Sequence, residues 1–350
     1  MSSPAGFFRR AVFQEYNAAM ELRFKDGRFR ILILTDAHHA PGTGRDTIKA
    51  MGSLIDRTEP DLVFLDGDNI AGHATEQNCR DMIADIASPM EERGIPWAHV
   101  YGNHDKTPLF PKEFQQAIYR GYPHCLSQSG PDGVPGVGNY FLPVLGHDGK
   151  PVFGIWALDS MQDLDIMDRP LDYKGDFRKD VLLPNRLTTG SDADFIRFEQ
   201  VQWYCDESKR LESKYGARIP SIMCFHQPLY EFNAIVRNPV ETMMVGEAYE
   251  KISCSEINSG LFAATIQRAD VIGMFCGHDH NNNFDGIYCN MHLAYCGSVG
   301  YHAYGMKTGD REGLRGGRVV DISLSDPWTL KTEYIFTKSQ SNHSYFHHFD

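Results

Sequence analysis

The feature of this chain that most constrains its fold is a series of short apolar runs that end abruptly in polar residues. Phe29–Leu34 is the first, and the sequence TDAHH follows it at 35–39. The runs Leu62–Leu65 and Ile95–Tyr101 come next, with helical periodicity between them. Continuous apolar runs of this length are typical of strands buried on both faces. Strand–helix–strand order is typical of parallel sheets with crossover helices, so the sequence predicts an α/β fold.

The same periodicity predicts the remaining elements along the chain. Helices are expected at about Arg45–Thr58, Glu76–Arg93, Glu113–Tyr119, Asp194–Lys214 and Gly260–Arg268. Further strands are expected at Asn139–Leu145, Val152–Leu158, Ile219–Phe225 and Asp270–Cys276, and short strands and turns alternate between Phe284 and Phe336. Loops are expected over residues 160–192 and 229–258, and over residues 106–138 apart from the helix at Glu113–Tyr119.

No internal repeat or linker divides the chain. We therefore expect one domain over residues 1–350, with an N-terminal extension at 1–28, a core at about 29–336 and a flexible C-terminal tail at 337–350.

Charge and cysteine usage exclude several classes of protein. Lys and Arg number 34 against 46 Asp and Glu, a formal net charge of −12, which disfavours a nucleic acid polymer as partner. The eight cysteines form no CxxC pair, so a reducing compartment fits best. No apolar run has the length needed to span a bilayer. The sequence predicts a cytoplasmic protein without a membrane partner, and it leaves the oligomeric state open.

Five segments with metal-binding side chains each follow a predicted strand. They are Asp36-x-His38, Gly67-Asp68, Gly102-Asn103-His104-Asp105, His226 and Gly277-His278-x-His280. Polar residues at the carboxyl ends of parallel strands gather along one edge of a sheet. Carboxylate, amide and imidazole groups bind borderline divalent ions, and the glycines permit tight turns. One such segment alone carries little information; the joint pattern predicts a metal site.

In order and in spacing these segments resemble the calcineurin-like metallophosphoesterases, over about Phe29 to Phe336. Later segments resemble the short purple-acid-phosphatase-like branch of plants and fungi: NSGLF at 258–262, FCGHDHN at 275–281, GYxxYG at 300–305 and GRVV at 317–320. The resemblance implies a four-layered αββα sandwich with mixed sheets. It also implies a two-metal centre between the loops at the strand ends.

Carried over residue by residue, the resemblance assigns the ligands of both metals. Asp36, His38 and His280 would hold one ion. Asn103, His226 and His278 would hold the other, and Asp68 would bridge the two. Mixed oxygen and nitrogen donors suit Mn, Fe, Zn or Ni. Purple acid phosphatases with an iron chromophore place a Tyr three residues after the bridging Asp; Ala71 stands here, which favours two divalent ions.

The resemblance further implies a hydrolase of phosphate esters, either a phosphomonoesterase or a phosphodiesterase. A water or hydroxide that bridges the two metals would attack phosphorus in line. His104 would stabilise the developing charge and protonate the leaving oxygen. Asp105 would orient that imidazole, although a purely structural role in the turn is almost as well supported.

Several assignments stay open. A small soluble phosphoester, such as a nucleotide, cyclic nucleotide or sugar phosphate, is the favoured substrate. The alternative is a catalytically silent scaffold that uses the fold as a protein-binding module, although no ligand position is lost. His39 and His73 could touch a substrate phosphate or be structural residues. Asp66 is expected to cap or hydrogen-bond its turn rather than bind metal, and His99 to be a core or sheet residue.

Overall fold

The computed structural model of the chain describes residues 20–72, 74–107, 109–162, 193–304 and 314–338. The strands in these ranges are β1 (Leu22–Arg23), β2 (Arg28–Leu34), β3 (Leu62–Asp66), β4 (Trp97–Val100), β5 (Tyr140–Leu145), β6 (Pro151–Ala157), β7 (Ser221–Cys224), β8 (Val271–Cys276), β9 (Asp285–Tyr288), β10 (Met291–Tyr295), β11 (Gly316–Ser323) and β12 (Asp326–Phe336). The helices are α1 (Asp46–Thr58), α2 (Glu76–Glu91), α3 (Lys112–Tyr119), α4 (Phe198–Tyr215), α5 (Phe232–Arg237) and α6 (Leu261–Arg268).

The strands form two mixed sheets. The large sheet has the order β1-β5-β6-β7-β8-β10-β9, and the small sheet has the order β12-β11-β2-β3-β4. The centre of each is parallel: β2, β3 and β4 in the small sheet, and β6, β7, β8 and β10 in the large one. Antiparallel strands lie toward the edges, as in the pairs β5–β6, β9–β10 and β11–β12. The predicted parallel core with crossover helices is confirmed.

Alternation of side chains along the central strands explains the continuous apolar runs. In β2, Ile31 and Ile33 belong to the cluster that fills the space between the two sheets. Leu32 and Leu34 point the other way and pack with residues of α1, α2 and α3. A third cluster packs α4, α5 and α6 on the outer face of the large sheet. Each central strand is therefore buried on both faces, and the predicted αββα layering is confirmed.

The structure differs from the predicted elements in two places. Leu22 and Phe24 are buried in the cluster between the sheets, and β1 pairs with β5, so the fold includes residues before the expected start at Phe29. Helix α5 lies inside the stretch expected to be a loop, with Phe232 and Ile235 fully buried. Elements of two and six residues carry too little periodicity to be recognised in a sequence.

Residues 1–19, 163–192 and 339–350 lie outside the described part of the chain, and with them most of the predicted N-terminal extension and C-terminal tail. Among the described residues, no helix combines the length and the apolarity that crossing a bilayer requires.

A buried ion pair connects the two halves of the sandwich beside the carboxyl ends of the strands. Lys112, on α3, places Nζ 2.8 Å from Asp159 Oδ1 and also donates to the carbonyl of Met161 at 3.0 Å. The other carboxylate oxygen of Asp159 accepts the backbone N–H of Val137 at 2.8 Å. Asp159 follows β6 of the large sheet, whereas α3 packs on the small sheet. The pair thus ties one half of the molecule to the other.

We expect Lys112→Met to lower the free energy of unfolding by about 3–5 kcal/mol, because it leaves the Asp159 charge buried without its cation. Denaturant unfolding of the full chain measures the change. The double variant Lys112→Met with Asp159→Asn is the control and should recover much of the loss. Equal losses in the single and double variants would contradict this account.

Candidate metal centre

The loops after five strands meet at one edge of the sandwich. They are bonded directly to one another: Asp36 N–H donates to the carbonyl of Gly67 at 3.0 Å, and His38 N–H donates to the carbonyl of Asp68 at 2.9 Å. Gly277 N–H donates to the carbonyl of His226 at 3.0 Å. The convergence that the sequence predicts at this edge is therefore present in the structure.

The side chains at this edge form two groups of metal-binding type. One group is Asp36, His38 and His280; the other is Asp68, His226 and His278. Within each group the ligand atoms lie no more than 4.8 Å apart. Asn103 adjoins the second group, with Oδ1 3.1 Å from His278 Nδ1. The first group is the set that the resemblance assigned to one ion; the second contains His226 and His278 of the other set, together with Asp68, the assigned bridge.

Asp68 lies between the two groups. Its Oδ2 is 3.3 Å from His38 Nε2 of the first group and 3.2 Å from His226 Nε2 of the second. Its other oxygen accepts the backbone N–H of His104 at 2.8 Å, which fixes the orientation of the carboxylate. One oxygen thus points at both groups, the arrangement that a bridging ligand requires.

Neighbouring groups orient the donor atoms. Asp36 Oδ2 accepts hydrogen bonds from Thr35 Oγ1 at 2.7 Å and from His278 N–H at 3.0 Å, while its buried Oδ1 lies 3.0 Å from His280 Nε2. His226 Nδ1 donates to the carbonyl of Asp66 at 2.8 Å, so the buried Nε2 is turned toward Asp68 Oδ2, 3.2 Å away. A second bond that fixes the tautomer is typical of metal-binding histidines. Carboxylate and imidazole atoms that converge on a common centre fit divalent metal ions.

The buried carboxylates and imidazoles of this centre shift one another's pKa values. Burial alone would lower the pKa of His38, but the carboxylates of Asp68 and Asp36 outweigh it and raise that pKa to about 10. The pKa of His226 is likewise raised to about 10 by Asp68 and Asp36 against the effect of burial. Burial would raise the pKa of Asp36 and Asp68, yet the surrounding imidazoles hold both pKa values below the usual range. Without metal, protons on imidazole therefore balance the carboxylates.

The backbone is strained at the candidate ligands. Asp36, His38, Asp68 and His278 have φ values of 54°, 43°, 49° and 75°. A left-handed conformation at a non-glycine residue costs on the order of 1–3 kcal/mol and is concentrated at functional sites. The packing and hydrogen bonds around these four residues must offset this cost.

Glycines make room for the carboxylates. A Cβ atom on Gly102 would overlap Oδ1 of Asp68, and one on Gly277 would overlap Thr35 Oγ1 and lie 2.5 Å from Asp36 Oδ2. The glycines at these positions therefore allow close approach to the ligands, as well as the turns that the sequence predicts.

His104 and Asp105 have different surroundings. His104 is exposed, and its ring centroid lies 5.0 Å from that of His38. Asp105 is buried, and its two carboxylate oxygens accept the backbone N–H groups of Ile70 at 2.9 Å and Gly102 at 2.8 Å. Asp105 thus holds the turn that carries Asn103 and His104, and its carboxylate does not bond the imidazole of His104. Of the two roles considered for Asp105, the geometry supports the structural one.

The histidine left open at position 39 has a structural environment. His39 is buried, with Nε2 2.9 Å from Asp85 Oδ2 and Nδ1 3.2 Å from Thr43 Oγ1. Its backbone carbonyl accepts the N–H of Ala71. These bonds hold the loop of the candidate ligand His38. His73 lies outside the described residues.

Asp66 and His99 are both buried, as a core position of His99 requires, but the Asp66 side chain does not make the predicted hydrogen bonds to its turn. The carboxyl oxygens of Asp66 have no hydrogen-bond partner, and burial raises its pKa well above the ordinary value. Its backbone carbonyl, not its side chain, accepts the bonds from Thr35 Oγ1 and His226. His99 Nδ1 lies 2.7 Å from Ser127 Oγ.

One neighbour of the centre was assigned no role in the sequence analysis. Tyr304 stacks on the ring of His280, with centroids 4.0 Å apart and an angle of 25° between the planes. The carbonyl of Tyr304 lies 3.3 Å from His280 Nδ1, and its side chain is 52% exposed. The GYxxYG segment at 300–305 was quoted for its resemblance to the purple-acid-phosphatase-like branch. The contact of Tyr304 with His280 joins residues 24 positions apart, so it has no local sequence signal.

Comparison with known proteins gives consistent matches. The family model described as calcineurin-like phosphoesterase matches residues 29–282. "Probable inactive purple acid phosphatase 14" of Arabidopsis thaliana is 30% identical over 316 residues, which cover 81% of this chain and 74% of that protein. "Phosphatase DCR2" of Saccharomyces cerevisiae is 26% identical over 289 residues, which cover 74% of this chain and 45% of that protein.

A solved dimetal phosphatase from Danio rerio matches the structure with a TM-score of 0.51 at 15% identity. The match covers 84% of this chain and 95% of that chain. At this level of identity the likeness concerns the fold, and it agrees with the two-sheet sandwich described above.

We expect Gly102→Ala to weaken metal binding about tenfold or more, because the added methyl group displaces the Asp68 carboxylate from its position between the two groups. Calorimetric titration of the metal-free protein with Mn²⁺ measures the affinity. Gly44→Ala is the matched control, since a Cβ there meets nothing closer than Asp46 Oδ2 at 4.0 Å. Equal affinities for the two variants would contradict the role assigned to Asp68.

The metal-free protein should lose stability as the pH rises from about 6.5 to about 10. The pKa values of His38 and His226 are raised from 6.5 to about 10, so their contribution is complete below pH 6.5 and disappears as they deprotonate in the folded state. Urea unfolding in the presence of a chelator, repeated across this range, measures the trend. The His38→Gln variant should lose less stability over the same pH range. A wild-type slope no steeper than that of His38→Gln would refute the assignment.

Proposed function

Because the chain belongs to the calcineurin-like phosphoesterase family, we propose that it hydrolyses phosphate esters with two divalent metal ions held at this centre. The observation that carries the proposal is the position of Asp68 Oδ2, within 3.3 Å of an imidazole of each ligand group. Two cations held close together need negative charge between them, and this oxygen can supply it. The full ligand set is Asp36, His38, Asp68, Asn103, His226, His278 and His280.

When bound, two divalent ions supply a water nucleophile at neutral pH and neutralise the phosphoryl oxygens. The residues of the chain prepare the site for this chemistry. Asp36 and Asp68 provide the negative charge that holds the ions, and the turn fixed by Asp105 presents the exposed His104 beside His38. We propose that His104 protonates the leaving oxygen, because an imidazole at the open side of the centre can reach it.

The donor set supports Mn, Fe, Zn or Ni and does not favour one of them. At the position of the chromophore tyrosine, Ala71 offers only a methyl group, which supports two divalent ions over a permanently ferric site. Net charge supports a small soluble phosphoester over a nucleic acid polymer, and it leaves mono- and diesters as alternatives.

A second candidate function is a catalytically silent scaffold that binds other proteins through the same fold. The observation that favours it is the name of the Arabidopsis relative, which calls that protein probably inactive. Against it stands the ligand set of this chain, in which no assigned position is lost and only His38 and His278 of the two groups are half-buried rather than buried. Strain at four candidate ligands also points to a working site, since a scaffold gains nothing from it.

We expect His104→Ala to keep both metals and to lose turnover by about 10²–10⁴-fold, since only the proton donor is removed. The measurement is hydrolysis of aryl phosphate mono- and diesters by Mn-loaded protein, with metal content determined on the same sample. His124→Ala is the control, because that imidazole pairs with Glu91 on α2.

Two results would decide between the candidates. Chelator-sensitive turnover of the wild type supports hydrolysis. Two bound metals with no turnover on either ester would favour the scaffold, and full activity of His104→Ala would refute the role of the imidazole.

A further inference from the structure

Building on the proposed phosphoester hydrolysis, we propose that Tyr304 selects substrates by stacking the solvent-facing side of its ring on a planar, uncharged ring of the ester. Tyr304 lies against the first ligand group. Its ring stacks on that of His280, with centroids 4.0 Å apart and planes at 25°, and its hydroxyl donates to the carbonyl of His278 at 3.4 Å. These two contacts fix the position and the plane of the tyrosine ring at the candidate metal centre.

Tyr304 separates the buried ligand group from solvent. His280 is only 2% exposed, whereas Tyr304 is 52% exposed. In the described part of the chain, His280 is the one ring that Tyr304 contacts. Because one side of the tyrosine ring lies against the imidazole, an exposed fraction of this size leaves the opposite side open to solvent. We call that side the open face of Tyr304.

The open face belongs to a row of rings that lines the centre. Successive ring centroids are 5.0 Å apart for His104 and His38, 4.9 Å for His38 and His280, and 4.0 Å for His280 and Tyr304. Both ends of the row, His104 and Tyr304, are exposed. An ester held at the first ligand group therefore lies one ring away from Tyr304. A ring joined to that ester through a short carbon chain reaches the open face.

The chemistry of the open face restricts what it binds. Aromatic pairs gain free energy beyond the burial of apolar area, and a saturated ring does not. The hydroxyl of Tyr304 is already bonded to the carbonyl of His278. Burial and the charge of Glu250 raise the pKa of Tyr304, so a carboxylate lies near the ring and disfavours a second phosphate there. A planar uncharged ring therefore fits the open face better than a saturated chain or a further phosphate does.

Tyr304 also supports the imidazole of His280, and this structural role has different consequences from stacking on a substrate. Loss of a purely structural ring would weaken metal binding and would affect all esters alike. Loss of a stacking ring changes the preference between a planar substrate and a saturated one. The ratio of two ligand affinities thus distinguishes the two roles.

The test is calorimetric titration of the full-length Mn-loaded protein with 3-phenylpropylphosphonate and with 3-cyclohexylpropylphosphonate. These two compounds have the same length and differ in the planarity of the ring, and their C–P bond is not hydrolysed. We expect Tyr304→Leu to lower the ratio of phenyl to cyclohexyl affinity about 3–10-fold relative to wild type. Tyr304→Phe keeps the ring and should keep the wild-type ratio.

Tyr288→Leu is the matched control. Tyr288 is 36% exposed and also stacks on a ring, that of Phe262, with planes at 25°. It pairs with Met291 at the start of β10, and β10 runs parallel to β8. Tyr288 therefore lies at the opposite end of these strands from the ligand loop that follows β8, and its removal should leave the affinity ratio unchanged.

The outcomes separate this inference from the proposed function. A selective fall of the ratio in Tyr304→Leu supports the inference even if the protein hydrolyses no ester. An unchanged ratio, equal weakening of both phosphonates, or no binding of either one to wild type overturns it. Turnover of 2-phenylethyl phosphate, measured separately, tests the proposed function, so turnover with an unchanged ratio overturns this inference alone. If Tyr304→Leu does not fold, Tyr304→Met makes the same comparison.

Discussion

Two carboxylates buried at one point are the constraint on which this structure depends. Asp36 and Asp68 are almost completely removed from water, and their oxygens face the same cluster of imidazoles. Buried charge of one sign is costly unless it is compensated. Here protonated imidazoles can compensate it, and divalent cations can do so by replacing those protons. The folded chain thus has two ways to neutralise the same centre.

The rest of the fold holds that arrangement against its own strain. Each ligand loop begins where a strand buried on both faces ends, so apolar packing fixes the start of the loop. Backbone hydrogen bonds between loops, such as the one from His38 N–H to the carbonyl of Asp68, then fix the loops relative to one another. The pair Lys112–Asp159 ties the two halves together beside the same edge. Stability from the packed layers therefore offsets the left-handed φ values at the ligands.

The residues around the centre fall into two classes: those that position the candidate ligand loops, and those that are exposed where a substrate could reach them. His39, Asp105 and the backbone of Asp66 are occupied in bonds that position the ligand loops. His104 and Tyr304 are exposed, one beside each end of the first ligand group.

The sequence by itself determined the central strands and the polar segments at their ends, because apolar runs buried on both faces and polar strand ends are local patterns. The αββα layers and the ligand assignment were implied by the resemblance to the calcineurin-like metallophosphoesterases, not by these patterns. Tertiary structure alone decided the role of Asp105, the short elements β1 and α5, and the stacking of Tyr304 on His280. These features depend on which atoms meet across long separations along the chain. The local sequence cannot predict such contacts, because the contacts arise only when the loops of both sheets pack together.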